Sequence, residues 1–511
     1  MVIFRLNQKQ LVGLSLFAIS FLYVYWIAGD ILRIGGDEGI YLEGGRLVAL
    51  GQQPHRDFFA ITGPLTFWIE GVLARWGGMS LVVMRLPLIF DAAFLAWAVY
   101  WFTSRYTSAI YAAGTAISFL GCEARLRQLN VNHRWDSGAL AIGAVLLASL
   151  AQRTRRRILW AASGFLIVAA ACATPSMLLV LLPLLFWSGR RGLREALALL
   201  GGAAVAAGMA SGYLQYEHAL IPTIRSMWWT SANYSQANHV FYGGLFLRAL
   251  PGAAPIGWIG IVTLPFSLIP AILPLAAILG WMLYLRRQHE VVEPTEIVPL
   301  LMVATALVFS AWPRWTSDAL LHTMALSWFL CALLFYRIAG ANTRRWVGLM
   351  VLLAFAGSLT SKAIAAMDYV PRDTRVGLLR AVDDESDSLA DLEHAIQPGD
   401  SVFCFPYLPA AYYFLQARNP TRYSFLQPGM MTLDDEERVI EELAAAPPRW
   451  VIYEKVPPEA ILAAWPGSDP ARIPMTLLND YLHQHYHAID NSNGAHGHLA
   501  IMEINPAVPL L

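Results

Sequence analysis

Residues 11–41 read LVGLSLFAISFLYVYWIAGDILRIGGDEGIY. Leu11 to Gly29 is one apolar run, about as long as a helix needs to cross a bilayer. It ends in bulky Tyr23, Tyr25 and Trp26 rather than a small-x-small cleavage site, so it reads as an uncleaved anchor. Just beyond it, Gly35-Gly36-Asp37-Glu38-Gly39-Ile40-Tyr41 sets two adjacent carboxylates among glycines where the chain leaves the membrane. Ionisable residues at such a depth are a functional hypothesis by default.

Working outward, the whole chain repeats the first signal. Of its 511 residues, 57% are hydrophobic and 14% are charged. A soluble protein carries roughly 25% charged residues, so much of this surface does not face water. The formal net charge is zero, which gives no bulk attraction to nucleic acid. Apolar length marks about eleven spans. They lie near 10–29, 81–104, 107–121, 136–152, 158–173, 175–188, 194–215, 258–285, 297–312, 319–337 and 346–361. Arg105, the Arg153–Arg157 cluster, Arg190/Arg191/Arg194, Arg286/Arg287 and Arg344/Arg345 fall at every second turn, on the side of Arg5 and Lys9. Lys and Arg mark cytoplasmic loops, so 30–80, 122–135, 216–257, 313–318 and everything after 362 are expected outside. The expected class is a mainly α polytopic membrane protein with spans in 1–361 and a small extracytoplasmic α/β domain in 362–511.

In that last part, helices are expected at 383–396, 434–445 and 477–483, and strands at 401–405, 450–453 and 499–504. In the outer loops, Leu65 to Trp76 reads as an amphipathic helix, and 216–257 carries Trp228, Trp229, Tyr234, Phe241 and Tyr242, suited to the headgroup level. Cys122, Cys172, Cys331 and Cys404 are far apart and suggest no disulfide framework. No P-loop, no GxGxxG after a strand and no HExxH occurs, which fits a donor other than a nucleotide sugar.

Three groups of side chains carry candidate chemistry. Asp37 and Glu38 suit removal of an acceptor proton or stabilisation of an oxocarbenium-like centre; the alternative is a cap and first-turn acid for a helix over 39–50. Asp136, in Asn132-His133-Arg134-Trp135-Asp136, opens the fourth span at the outer level; its alternative is also a helix cap. The outer basic group is Arg85, Arg125, Arg127, His133, Arg134, Arg314 and His322. It suits a lipid phosphate, or simply contacts headgroups. His483, His485 and His487 would share a face on a strand and could hold a metal, whereas a helix end there would separate them. Asn233-Tyr234-Ser235 matches a glycosylation sequon.

The chain resembles the GT-C superfamily of integral-membrane glycosyltransferases. It is similar to the protein O-mannosyltransferase and aminoarabinose-transferase type and to the Rgt-type lipopolysaccharide glycosyltransferases, over roughly residues 10–340. The carriers are Gly36-Asp37-Glu38-Gly39-Ile40-Tyr41, Pro54-His55-Arg56-Asp57-Phe58-Phe59, Gly63-Pro64-Leu65-Thr66-Phe67-Trp68, Met84-Arg85-Leu86-Pro87 and Asp136. The resemblance implies a polyprenyl-phosphate-linked sugar donor, an envelope lipid, glycan or protein as acceptor, and a bilayer setting in a bacterial inner membrane. Transfer would occur on the outer face. It matches the first-loop acid to Asp37, with Glu38 beside it, and the second acid to Asp136. Some relatives place a basic residue before the Gly-Pro-Leu segment; Thr62 stands there, so the donor phosphate is expected at Arg56, Arg85 or Arg134, with Asp57, His133 and Arg314 near it. Ala173-Thr174-Pro175 also departs from the Lys-Gly-Pro of relatives. No cofactor is implied; sugar, acceptor and metal dependence are not legible. Two other classes remain open: a transporter or flippase using Arg85 and Asp91, and a non-catalytic envelope scaffold.

Overall fold

The computed structural model describes residues 7–123, 129–242, 258–287, 294–489 and 499–505. Arg5, Arg125, Arg127, His496 and His498 lie outside the described residues. The first helix, α1 (Gln8–Ala28), starts at a capping box: Asn7 accepts from the Gln10 N–H while the Gln10 side chain accepts from that of Asn7. Two helices of the first loop follow, α2 (Glu38–Ala49) and α3 (Leu65–Gly77). The second span is α4 (Leu81–Met84) and α5 (Leu86–Ser104), then come α6 (Ala109–Glu123), α7 (His133–Thr154) and α8 (Arg157–Ala173). Among the described residues, six helices are long and apolar enough to cross a membrane, and five shorter apolar helices fall on the remaining expected spans.

Bundle packing uses small residues where helices cross closely, as lipid supplies no hydrophobic drive between them. A Cβ on Gly164 of α8 would lie 1.9 Å from the Leu199 carbonyl oxygen, and one on Gly202 would lie 1.8 Å from that of Ala161. The basic turns gather at one end of the bundle. There Arg105 donates to Ser149, Arg153 pairs with Glu296 at 3.0 Å and Arg191 donates to Gln152. The opposite end carries the Asp37 loop and the C-terminal domain.

That domain begins after a helix running Ala341–Ala365, a few residues past the expected boundary. A hairpin of β1 (Val370–Thr374) and β2 (Gly377–Ala381) leads it. A four-stranded sheet follows, ordered β3-β4-β6-β5, in which β3 (Val402–Phe405) is parallel to β4 (Trp450–Glu454). The last pairings, β4 with β6 (Leu499–Ile504) and β6 with β5 (Tyr486–Ala488), are antiparallel. The sequence expectations did not include the hairpin or the helix Leu220–Ala237, which fills much of the aromatic segment 216–257.

The domain is fastened to the bundle. Arg380 exchanges backbone hydrogen bonds with Asp30 and Leu32, each 2.8 Å, and pairs with the Asp30 carboxylate. The Leu81 amide donates to the Val376 carbonyl at 3.1 Å. One buried apolar cluster contains Leu32, Ile40, Leu42, Phe67 and Met84 from the first loop and second span together with Phe403, Tyr412, Phe414 and Val451.

Candidate active site

Asp37 closes the loop between α1 and α2. Gly36 turns it at φ +97°, a conformation glycine adopts without strain. Asp37 precedes α2 but makes no side-chain cap bond. Its exposed carboxylate instead accepts from the Tyr407 hydroxyl, with Oδ1 at 2.8 Å. Tyr407 stands on the loop between β3 and the helix Pro409–Leu415, edge-on to Phe425 at 5.6 Å and Trp465 at 5.2 Å. Burial, and then the Asp37 charge, push the Tyr407 phenol well above its ordinary range.

Tyr41, on α2, is buried and stacked on Phe67 at 5.4 Å, with the His133 ring 5.9 Å away. Burial and then Asp37 raise its phenol too, while Arg134 acts the other way and Tyr234 also lies within electrostatic reach. Asp37, Tyr234 and Arg134 therefore all lie within electrostatic reach of Tyr41, and Asp37, Tyr41 and Tyr234 within reach of Tyr407. Arg134 is half-buried, and among the described residues its guanidinium makes no hydrogen bond or ion pair.

The other expected residues are committed elsewhere. Glu38 faces inward and pairs with Arg85, Oε2 to Nη2 at 2.6 Å and Oε1 to Nε at 2.8 Å. Arg85 also donates to the Ala28 and Ile31 carbonyls, and Glu38 Oε1 accepts the Val131 amide at 3.0 Å. Burial alone would raise the Glu38 carboxyl, but the Arg85 guanidinium outweighs it and holds the group below the usual carboxylate value. Both sides of this pair are buried, at 3% and 0% exposure, and in this structure Glu38 and Arg85 are engaged with each other. Arg56 is bidentate to Asp57 and donates to the Glu217 carbonyl, which occupies those two residues with each other. Among the described residues, the Arg314 guanidinium makes a single long contact, 3.5 Å to Asn238 Oδ1. His133 binds Thr174 at 2.6 Å, and His322 is buried with its ring edge-on to Trp135 at 4.5 Å.

Asp136 is not a helix cap either: Asn132 caps α7, accepting the Arg134 amide. The Asp136 carboxyl turns instead toward Thr66, which donates to it, and the Asp91 carboxyl lies close by. Asp91 and Asp136 line a cavity of about 700 Å³ whose other walls are apolar, including Trp68, Leu73, Phe90, Phe94 and Leu166; Asp37 is not among its lining. Asp136 and Asp37 thus share no partner. His483 and His485 sit on the helix Thr476–His485 and His487 on β5, so no strand face joins them. No group of three metal-ligating side chains converges among the described residues.

Sequence reasoning missed Tyr407 and Tyr234 as site residues. A signal existed for Tyr407: it follows the carboxyl end of a strand, where α/β domains place functional loops.

Taken together, a bundle of apolar helices, two helices in the loop after the first span and a sheet domain covering an acidic loop define a multi-span membrane fold that solved membrane proteins share. Among solved structures, ArnT from Cupriavidus metallidurans bound to undecaprenyl phosphate matches with a TM-score of 0.52 over 97% of this chain and 98% of its own, at 13% identity. The apo state of the same protein matches at 0.51 over 96% and 97%, also at 13% identity. The archaeal oligosaccharyltransferase AglB from Archaeoglobus fulgidus, in complex with an inhibitory peptide and a dolichol-phosphate, matches at 0.50 over 98% and 75%, at 13% identity. At this identity the likeness is one of fold. No protein-family model and no curated protein matches the sequence.

Proposed function

We propose that the protein moves a sugar from a polyprenyl-phosphate carrier to an envelope lipid, glycan or protein on the extracytoplasmic face of a bacterial inner membrane. One observation carries the reading: an exposed carboxylate, Asp37, and a guanidinium with no partner among the described residues, Arg134, both lie within electrostatic reach of the same buried tyrosine, Tyr41. In this reading Asp37 takes the proton of the acceptor hydroxyl as its oxygen attacks the anomeric carbon. The bond from that carbon to the phosphate oxygen breaks, and the lipid phosphate leaves with the electron pair. Arg134 offsets the charge that develops on it, since a guanidinium fork suits phosphate. The Glu38–Arg85 pair anchors the loop that presents Asp37. The apolar cavity between α3, α5, α7 and α8 suits an isoprenoid chain. Support for the donor class comes from the fold, because solved structures that share it hold undecaprenyl phosphate or dolichol-phosphate.

The test is transfer by purified protein from a panel of polyprenyl-phosphate sugars to envelope extracts. Asp37→Asn is expected to slow transfer by roughly 100-fold or more, the scale of general-base catalysis. Arg134→Ala is expected to weaken use of the donor. Undiminished transfer by Asp37→Asn would remove Asp37 from the chemistry. Sidedness is read separately: a cysteine at Gly36 should react with a membrane-impermeant maleimide applied to the outer face, and one at Arg155 should not.

A further inference from the structure

We infer that the C-terminal domain sets the reactive carboxylate in place, with Tyr407 as a positioning residue for Asp37; this rests on the reading of Asp37 as the base. The Asp37 side chain lacks local restraint. It makes no cap bond to α2, and the glycines before it, Gly35 and Gly36, have open space around them. What holds the carboxylate is the Tyr407 hydroxyl, 370 positions away in the chain.

That hydroxyl is itself fixed. The Tyr407 ring meets Phe425 and Trp465 edge-on, and two residues later begins the helix Pro409–Leu415, which lies against α2. The approach is so close that a Cβ on Gly39 would lie 2.2 Å from the Ala410 nitrogen. Gly39 is two residues past Asp37, so a single backbone-to-backbone contact places both ends of the Tyr407–Asp37 bond. Flanking ties lock it: Arg46 donates to the Ala417 carbonyl and Tyr413 to that of Met79, at 2.7 and 2.8 Å. The chemistry also differs from that of the neighbouring acid. Glu38 is neutralised by a guanidinium on both oxygens, whereas Asp37 receives one neutral donor on Oδ1. Oδ2 is left to accept a proton from a substrate, and the bond fixes its direction.

The experiment compares wild type with Tyr407→Phe, which keeps the ring and its neighbours and removes only the donor. Carboxyl labelling of the full-length protein by a water-soluble carbodiimide and an amine, read by peptide mass spectrometry, needs no sugar substrate. Asp37 is expected to label several-fold faster in the variant, while Asp30, held by Arg380, labels equally in both and serves as the internal standard. In transfer assays kcat should fall roughly ten-fold, the scale of a hydrogen bond to a charged group, with both KM values and the melting temperature unchanged. Unchanged Asp37 labelling, or an unchanged kcat, overturns the inference. Full transfer by Asp37→Asn, by contrast, would sink the base assignment while faster labelling still upheld the contact.

Discussion

Glu70, on α3, is buried, and its Oε2 has no hydrogen-bond partner among the described residues. Burial, and then the nearby Asp136, Glu38 and Asp91 carboxyls, push its own carboxyl well above the ordinary range. The sign of the consequence follows from linkage. An unfolded glutamate ionises near pH 4.3, while the folded one keeps its proton to higher pH. The stability that Glu70 contributes is therefore fully present below the ordinary range. It is lost as pH rises toward the folded value, at about 1.4 kcal/mol per pH unit for one such group. Glu70→Gln cannot ionise, so its melting temperature should fall less than that of wild type between pH 5 and pH 8. Parallel curves would show that Glu70 is solvated or paired. Glu38 is the opposite case: its partner Arg85 has similar burial but carries the compensating charge, and removing one partner of such a pair costs about 3–5 kcal/mol. No local pattern distinguishes these two glutamates. What separates their roles is an arginine 47 positions further on, and only the folded chain brings it to one of them. Asp37 stood out in the sequence as a candidate because it is a carboxylate among glycines at the end of a span, although an acid at a helix start would read the same way there.

At the scale of elements, the contact between α2 and the helix Pro409–Leu415 is the most demanding. With a hypothetical Gly39 Cβ 2.2 Å from the Ala410 nitrogen and 2.6 Å from its Cα, any side chain there must drive two backbones apart. Overpacking of this kind costs about 1–3 kcal/mol or more. Gly39→Val is expected to loosen the C-terminal domain, seen as faster proteolysis after the helix Ala341–Ala365, while Gly35→Ala, which meets nothing within 4 Å, should digest like wild type. Identical digestion of the two variants would mean that the interface is softer than it looks. The same contact shows why elements differed in legibility. The long helices could be read because length and apolar composition decide them. The helix Pro409–Leu415 is short and buried on every side between α2 and β3, so it shows no period. The β1–β2 hairpin carries mostly polar or half-exposed positions, and its placement is set by Asp30, Leu32 and Leu81 rather than by its own pattern.

On the scale of the whole molecule, composition divides the chain near residue 362, but packing does not. The first-loop helices and the sheet domain bury their side chains in one cluster, distinct from the cluster that fills the bundle. A loop domain hinged to a membrane domain would open independently. A shared core makes α2, α3, β3 and β4 one cooperative unit, because opening any of them exposes the others. Native-state hydrogen exchange should therefore find the amides of Ile40–Gly44 and of Phe403–Phe405 protected by the same opening free energy, within about 1 kcal/mol, and equally sensitive to denaturant. Bundle helices such as α5 and α7 would remain protected beyond that point. If β3 and β4 exchange freely while α2 stays closed, the two parts are separate domains, and Tyr407 meets Asp37 only when they dock. If they open together, the loop between α1 and α2 cannot hold its carboxylate without the sheet that lies over it, and any sugar transfer should vanish at the denaturant concentration where this unit melts, with the membrane helices still intact.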